Sequence, residues 1–194
     1  GDEPRHIHPR AWARTGKPIV REFREEYLCR TALILDTQSR RTRLPRTLRR
    51  RRDDLHFEAA VSLTAAAADF LARSEYLIDL FAAGTEVYRF QAGRSLAYLE
   101  DILDVLACLD AAGNDPFEVL APMIENEVRQ MSSAILVLLH WNPIRAALVR
   151  KLFEADVAVK VVLVRDSRRL PPDLPEYVHP IHHDDIRNGH CTEI

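Results

Sequence analysis

The sequence predicts an α/β protein in which a mostly parallel sheet of about six strands lies between two layers of helices, with one antiparallel hairpin at an edge. Residues 32–35 form an unbroken apolar run that ends at Asp36, as in a strand buried on both faces. Residues 134–139 form a second run of this kind. From residue 30 onward, such runs alternate with segments whose apolar residues recur every three or four positions, which is typical of helices.

The chain divides into an arm and a domain. Residues 1–27 are polar, and Pro9, Gly16 and Pro18 prevent a long helix, so we treat this segment as an arm in front of a domain over residues 28–194. Within the arm, residues 19–25 alternate apolar and charged side chains, which predicts an edge strand or an extended segment.

The remaining elements are predicted from periodicity and turn residues. Gly84 is expected to turn the hairpin, and Ser95 is expected to cap a helix. The predicted helices cover residues 57–72, 95–111, 116–130 and 143–155, and the predicted strands after the first cover residues 76–81, 86–90, 134–139 and 157–164. Residues 167–194 contain four prolines and are interpreted as an irregular tail with one short strand near residues 177–181.

Composition fits a globular domain in a reducing compartment. The apolar fraction of 47% is ample for a core, and the three cysteines are odd in number and widely spaced. We therefore expect no disulfide, and we expect Cys29 and Cys108, which lie in apolar stretches, to be core residues. No run approaches the roughly 20 apolar residues of a membrane span, and no signal peptide is recognisable. Because Gly1-Asp2 does not resemble a natural start, we expect a longer parent chain.

Charge is distributed unevenly along the chain. Residues 1–52 carry a balance of +9, and residues 53–194 carry −11, which gives the net charge of −2. Within residues 40–52 there are eight arginines, at positions 40, 41, 43, 46, 49, 50, 51 and 52. This stretch is interpreted as a loop after the first strand, either simply solvated or available to an anionic partner. The absence of interleaved aromatic residues argues against nucleic acid.

The arm carries the most specific resemblance in the chain. Its matching residues keep the spacing of a known bacterial signature, although Pro9 and Pro18 replace an expected Trp and Leu. The matches include Arg5, His8, Arg10, Arg14, Thr15, Gly16, Lys17, Arg21 and Glu22. On these residues the chain resembles the bacterial family catalogued as domain of unknown function number fifty-eight, whose signature leads into a domain of the von Willebrand factor A type.

The loop after the first strand resembles the first metal-binding loop of von Willebrand A domains, which reads Asp-x-Ser-x-Ser. Only the first position of this motif, Asp36, is matched. Gln38 and Arg40 stand in place of the two serines, and Ser39 falls between them. After the second buried strand, His140 and Trp141 occupy the place of an expected Ser/Thr-Asp pair. Since Mg²⁺ requires oxygen ligands, we expect a degenerate site with neither metal nor cofactor. Asp36 is instead expected to cap a turn or to pair with an arginine.

The resemblance implies a protein-interaction module without enzymatic activity. Relatives of this kind are associated with MoxR-type AAA+ ATPases and carry membrane helices that this segment lacks, which implies a place at the cytoplasmic face of the inner membrane. We expect such an ATPase as the partner and Arg49, Arg50, Arg51 and Arg52 as residues that bind its acidic surface.

Enzymatic alternatives remain open. One is an anion-binding enzyme at the carboxyl edge of the sheet. Another is a metal-dependent hydrolase that uses the histidine-rich tail, whose spacing matches no metal signature and which we interpret as a surface cluster. The tail residues concerned are His179, His182, His183, His190, Asp184, Asp185 and Cys191.

Overall fold

The computed structural model describes residues 29–38, 46–83, 87–91, 96–166 and 173–190. It is an α/β domain, as predicted. Six strands are present in this part of the chain: β1 (Arg30–Leu35), β2 (Leu77–Ala83), β3 (Val87–Gln91), β4 (Ser133–Leu138), β5 (Ala158–Arg165) and β6 (Val178–His182). The helices are α1 (Arg46–Arg73), α2 (Leu96–Ala107), α3 (Phe117–Glu127) with a 3₁₀ turn at Val128–Gln130, α4 (Pro143–Glu154) and α5 (His183–Arg187). The predicted arm, including its signature residues, lies outside the described residues, as do Gly84 and Ser95.

The strands form one sheet in the order β3-β2-β1-β4-β5-β6. Five of them are parallel: β1 pairs with β2 and with β4, β4 pairs with β5, and β5 pairs with β6. The edge strand β3 pairs antiparallel with β2. Successive parallel strands are added on opposite sides of β1, so the topological switch point lies between β1 and β4. In open α/β sheets, the carboxyl edge at this point is where ligands bind.

The sheet has a separate apolar core on each face. Side chains alternate along β1, so Ala32 and Ile34 contribute to the core beneath α3 and α4. Leu33 and Leu35 contribute to the opposite core, beneath α1 and α2. All four residues are fully buried. Burial on both faces explains why the sequence of this strand is unbroken rather than alternating, and it confirms the prediction for β1.

The arginine-rich stretch is helical over most of its length, which corrects the predicted loop over residues 40–52. Helix α1 begins at Arg46, eleven residues before the predicted start, while residues 40–45 lie outside the described part of the chain. Arginine is a strong helix former, and Asp53 and Asp54 follow Arg49 and Arg50 at the four-residue spacing that favours helices.

The expectation that two cysteines are core residues is wrong, and one helix bears on the expectation about membrane spans. Cys29 and Cys108 are both exposed, because one precedes β1 and the other follows the last residue of α2. By length and composition alone, Leu55–Arg73 would be long and apolar enough to cross a membrane. Its buried residues, which include Phe57, Leu63 and Leu71, pack on the sheet, so we treat it as a core helix.

The tail over residues 167–194 is not irregular throughout. It contributes β6, which extends the parallel sheet at its edge, and then α5, which packs beside α1. Pro180 lies within β6, where an edge strand tolerates a missing N–H donor. The predicted short strand is therefore present, and the helix after it was missed.

Candidate functional site

The site is organised around Asp36, which directly follows β1 at the switch point. Its carboxylate is fully buried and accepts four hydrogen bonds. Two come from the backbone, from the N–H groups of Gln38 at 3.0 Å and Leu139 at 3.1 Å. The other two come from Arg145, whose Nε and Nη2 each donate at 2.8 Å to a different carboxylate oxygen. This bidentate arrangement is the strongest form of an arginine–carboxylate pair.

Arg145 comes from the first turn of α4. Asn142 caps that helix by accepting a hydrogen bond from the Arg145 backbone N–H at 3.0 Å, and Pro143 occupies a first-turn position suited to proline. The cap directs the Arg145 side chain into the protein, where the side chain is 0% exposed. Arg145 is therefore a buried cation whose position is set by the start of α4.

The guanidinium of Arg145 connects several segments. Its Nη1 donates to Asp115 at 2.8 Å, and its Nη2 donates to the Gln38 side-chain oxygen at 3.1 Å. Asp115 also accepts from the Asn142 side chain at 3.0 Å. The guanidinium carbon lies 4.3 Å from the centre of the Phe117 ring, in cation–π geometry. Asp36, Gln38, Asp115, Asn142 and Arg145 form what we call the arginine network.

Backbone contacts hold the same segments together. The Ala112 N–H donates to the Thr37 carbonyl at 2.6 Å, and Gln38 and Ala112 form an isolated parallel bridge. The Thr37 hydroxyl donates to the carbonyl of Ala83, the last residue of β2. The loops after β1, α2 and β4 are therefore fixed to one another and to the end of β2.

Arg145 and its acidic partners stabilise one another in their charged forms. Burial works against the charge on Arg145, yet the hydrogen bonds and charges of Asp36 and Asp115 raise its pKa above the ordinary value. Burial alone would raise the pKa of Asp115, but hydrogen bonds from Arg145, from the Phe117 N–H and from Asn142 together lower it. The Asp115–Arg145 contact is therefore an ion pair at neutral pH.

The residues at this edge do not fit a Mg²⁺ ion. Mg²⁺ needs near-octahedral oxygen ligands at about 2.0–2.1 Å. Both oxygens of Asp36 already accept from N–H groups, and the Gln38 side-chain oxygen accepts from Arg145. An added cation would meet the fixed positive charge of Arg145. The two contacts expected of Asp36 in place of a metal, a turn and an arginine, are both present.

Only some of the predicted site residues lie in the arginine network. Asp36 and Gln38 lie in the arginine network, whereas Trp141 packs against the core and makes an edge contact with Tyr177 at 6.1 Å. Ser39 and Arg40 lie outside the described residues. The backbone of Arg49–Arg52 lies in α1.

Three residues of the network were not predicted from the sequence: Asp115, Asn142 and Arg145. A usable signal existed, because Asp115 precedes Pro116 and Asn142 precedes Pro143, and both prolines open helices. Helices that follow strands in an α/β fold begin at the carboxyl edge, so polar residues at their starts are candidates for a site there.

Aromatic side chains form a surface along α4. Phe153 and Tyr177 are 45% and 40% exposed, and their ring centres lie 5.3 Å apart in edge geometry. Tyr177 also contacts Trp141, so the three rings are continuous. We call Trp141, Phe153 and Tyr177 the aromatic row.

Some residues of the histidine-rich tail form one group in the structure. His182, His183 and Asp184 meet where β6 ends and α5 begins. His179 and His190 are exposed and are not in that group, and Cys191 lies outside the described residues.

Comparison with known proteins adds no family assignment. No family model matches the chain, and no curated protein matches it significantly.

Proposed function

We propose that this chain is a non-enzymatic protein-interaction module of the von Willebrand factor A type, in which a buried arginine takes the role of a metal in fixing the carboxyl edge. The observation that carries the proposal is the bidentate pair between Arg145 and Asp36 at the switch point. The strand order and the antiparallel edge strand β3 support the von Willebrand A classification. The signature in the arm supports membership of domain-of-unknown-function family fifty-eight.

The arginine network suits a structural role better than a chemical one. Arg145 makes four hydrogen bonds to protein oxygens, and its side chain is not exposed. It therefore offers no donor at the surface to an anionic substrate, which argues against the anion-binding enzyme. Its contacts instead hold three loops in one arrangement. Preorganised loops lower the entropy cost of binding a partner, so a rigid edge favours an interaction surface.

Two features of the domain are suited to a partner. The aromatic row offers exposed aromatic area, which is enriched in protein interfaces. Helix α1 has 28 residues and therefore spans about 42 Å, more than the strands that it covers. In the sequence, the first turns of this helix carry Arg46, Arg49, Arg50, Arg51 and Arg52.

The proposed partner is an acidic protein surface that meets Arg49, Arg50, Arg51 and Arg52. Guanidinium groups bind carboxylates bidentately, and a basic cluster accelerates encounter with an acidic surface. From the resemblance of the arm, we propose a MoxR-type AAA+ ATPase as this partner. The corresponding location is the cytoplasmic face of the inner membrane, with any membrane segments in other parts of the parent chain.

Replacing Arg49, Arg50, Arg51 and Arg52 by serine is expected to slow association with the MoxR-type ATPase of the same genome. Loss of steering should lower the association rate by about tenfold or more at low ionic strength and flatten its salt dependence. The measurement is stopped-flow or surface-plasmon kinetics at two salt concentrations, using the full parent chain.

A matched control removes the same charge elsewhere. Arg73, Arg129, Arg150 and Lys151 are exposed and lie near the ends of helices or just before β4, toward the amino edge of the sheet. Their replacement by serine should change the association rate much less. Equal rates and equal salt dependence for the parent and the Arg49–Arg52 variant would contradict the proposed docking.

A further inference from the structure

We propose that His182, His183 and Asp184 form a binding site for a borderline divalent metal ion of the Zn²⁺ type, independent of the arginine network. The three residues are consecutive, at the point where β6 ends and α5 begins. His182 has extended backbone torsions, and the helix starts at the next residue. This change of direction brings their side chains together, with the two imidazole rings stacked at 4.6 Å.

The distances between the ligand atoms are close to those of a metal site. His183 Nδ1 lies 3.3 Å from Asp184 Oδ1, and His182 Nδ1 lies 3.5 Å from Asp184 Oδ2. One ligand atom from each residue can be chosen so that all three lie within 4.8 Å of one another. Zinc binds nitrogen and oxygen at about 2.0–2.2 Å, and tetrahedral geometry then separates its ligands by about 3.3–3.6 Å. The His183–Asp184 and His182–Asp184 distances lie in this range, each to a different oxygen of the Asp184 carboxylate.

An independent observation points to a ligand at this site. His183 is only 8% exposed, yet its Nδ1 has no hydrogen-bond partner among the described residues. A buried polar nitrogen without a partner is costly, and a bound metal ion would satisfy it. Asp184 on the other side of the site is half exposed, which gives an ion a path from solvent.

An aromatic ring and several charged groups surround His183. The His56 ring of α1 lies 6.5 Å from the His183 ring, and its Nε2 is held 2.6 Å from the Val164 carbonyl. Burial lowers the pKa of His183. Asp184 and Asp166 supply negative charge that partly offsets this shift, whereas His182 and Arg187 add to it.

One existing contact would be exchanged for the metal. The Asp184 N–H donates to His182 Nδ1 at 3.3 Å, so this nitrogen already accepts a hydrogen bond within the group. The hydrogen bond is long and therefore weak, so its replacement costs little. Two imidazoles and one carboxylate select a borderline metal over Mg²⁺ or Ca²⁺. Three protein ligands would leave one position for water.

Calorimetric titration of the chelator-treated full chain with Zn²⁺ tests the site. We expect saturable binding of one ion, and tetrahedral visible absorption bands when Co²⁺ replaces Zn²⁺. Since His183 is buried, the main variants are His182→Ala and Asp184→Asn, with folding checked by circular dichroism. Each should weaken binding by at least about tenfold.

The exposed tail histidines provide the control. His179→Ala with His190→Ala removes two imidazoles outside the group and should leave the affinity unchanged. The proposal is overturned if the parent chain shows no saturable binding. It is equally overturned if His182→Ala and Asp184→Asn retain full affinity, or if the His179/His190 variant is the one that loses it.

Discussion

Replacing Arg145 by methionine is expected to destabilise the fold by about 3–5 kcal/mol, because it leaves a buried carboxylate without its cation. Asp36 is fully buried and would keep two backbone N–H donors but lose both guanidinium donors. Asp115 would lose its hydrogen bond from Nη1 at the same time. Chemical denaturation of the parent and the variant measures the difference directly.

A control and a second variant separate charge from packing. Arg150→Met lies on the same helix at an exposed position and should change stability by less than about 0.5 kcal/mol. Adding Asp36→Asn to Arg145→Met removes the uncompensated charge, so the double variant should be more stable than Arg145→Met alone. If Arg145→Met unfolds at the same denaturant concentration as the parent, the arginine network does not hold this edge.

Replacing Phe117 by alanine is expected to cost about 3–5 kcal/mol, the usual range for a buried aromatic residue. Phe117 is fully buried in the core beneath α3 and α4, and its ring faces the Arg145 guanidinium. The substitution therefore opens a cavity and removes a cation–π contact together. Thermal or chemical denaturation measures the loss.

Phe117→Leu distinguishes these two contributions. Leucine keeps most of the apolar volume but has no π face, so its cost should be about 1–3 kcal/mol, clearly below that of alanine. Val119→Ala, at an exposed position in the same helix, serves as the control and should be nearly neutral. Equal stability of Phe117→Ala and the parent would contradict the packing described for this helix.

Much of the fold could be predicted because buried strands have a recognisable pattern of apolar residues in the sequence. The run of Ala32–Leu35 requires two covered faces, and the structure supplies them. The start of α1 could not be predicted in this way, since its first turns carry arginines rather than a periodic apolar face. There the helix depends on the intrinsic propensity of arginine rather than on an apolar face.

The candidate site was only half predictable for a related reason. Asp36 and Gln38 lie in one loop, so their proximity is encoded locally. Arg145 is 109 residues from Asp36, and their contact depends on the order of strands in the sheet. The grouping of His182, His183 and Asp184 depends on a strand-to-helix turn that the prolines of the tail obscured. Pairings of this kind follow from topology rather than from local pattern.

The central claim is that Arg145, not a metal ion, neutralises Asp36 at the carboxyl edge. Its most direct test is calorimetric titration with Mg²⁺ up to millimolar concentration, carried out in the Asp184→Asn background so that the histidine site does not contribute. Because both Asp36 oxygens are engaged and Arg145 supplies the positive charge, we predict no saturable binding. Saturable Mg²⁺ binding that disappears when Asp36→Ala is added to a still-folded chain would contradict the account.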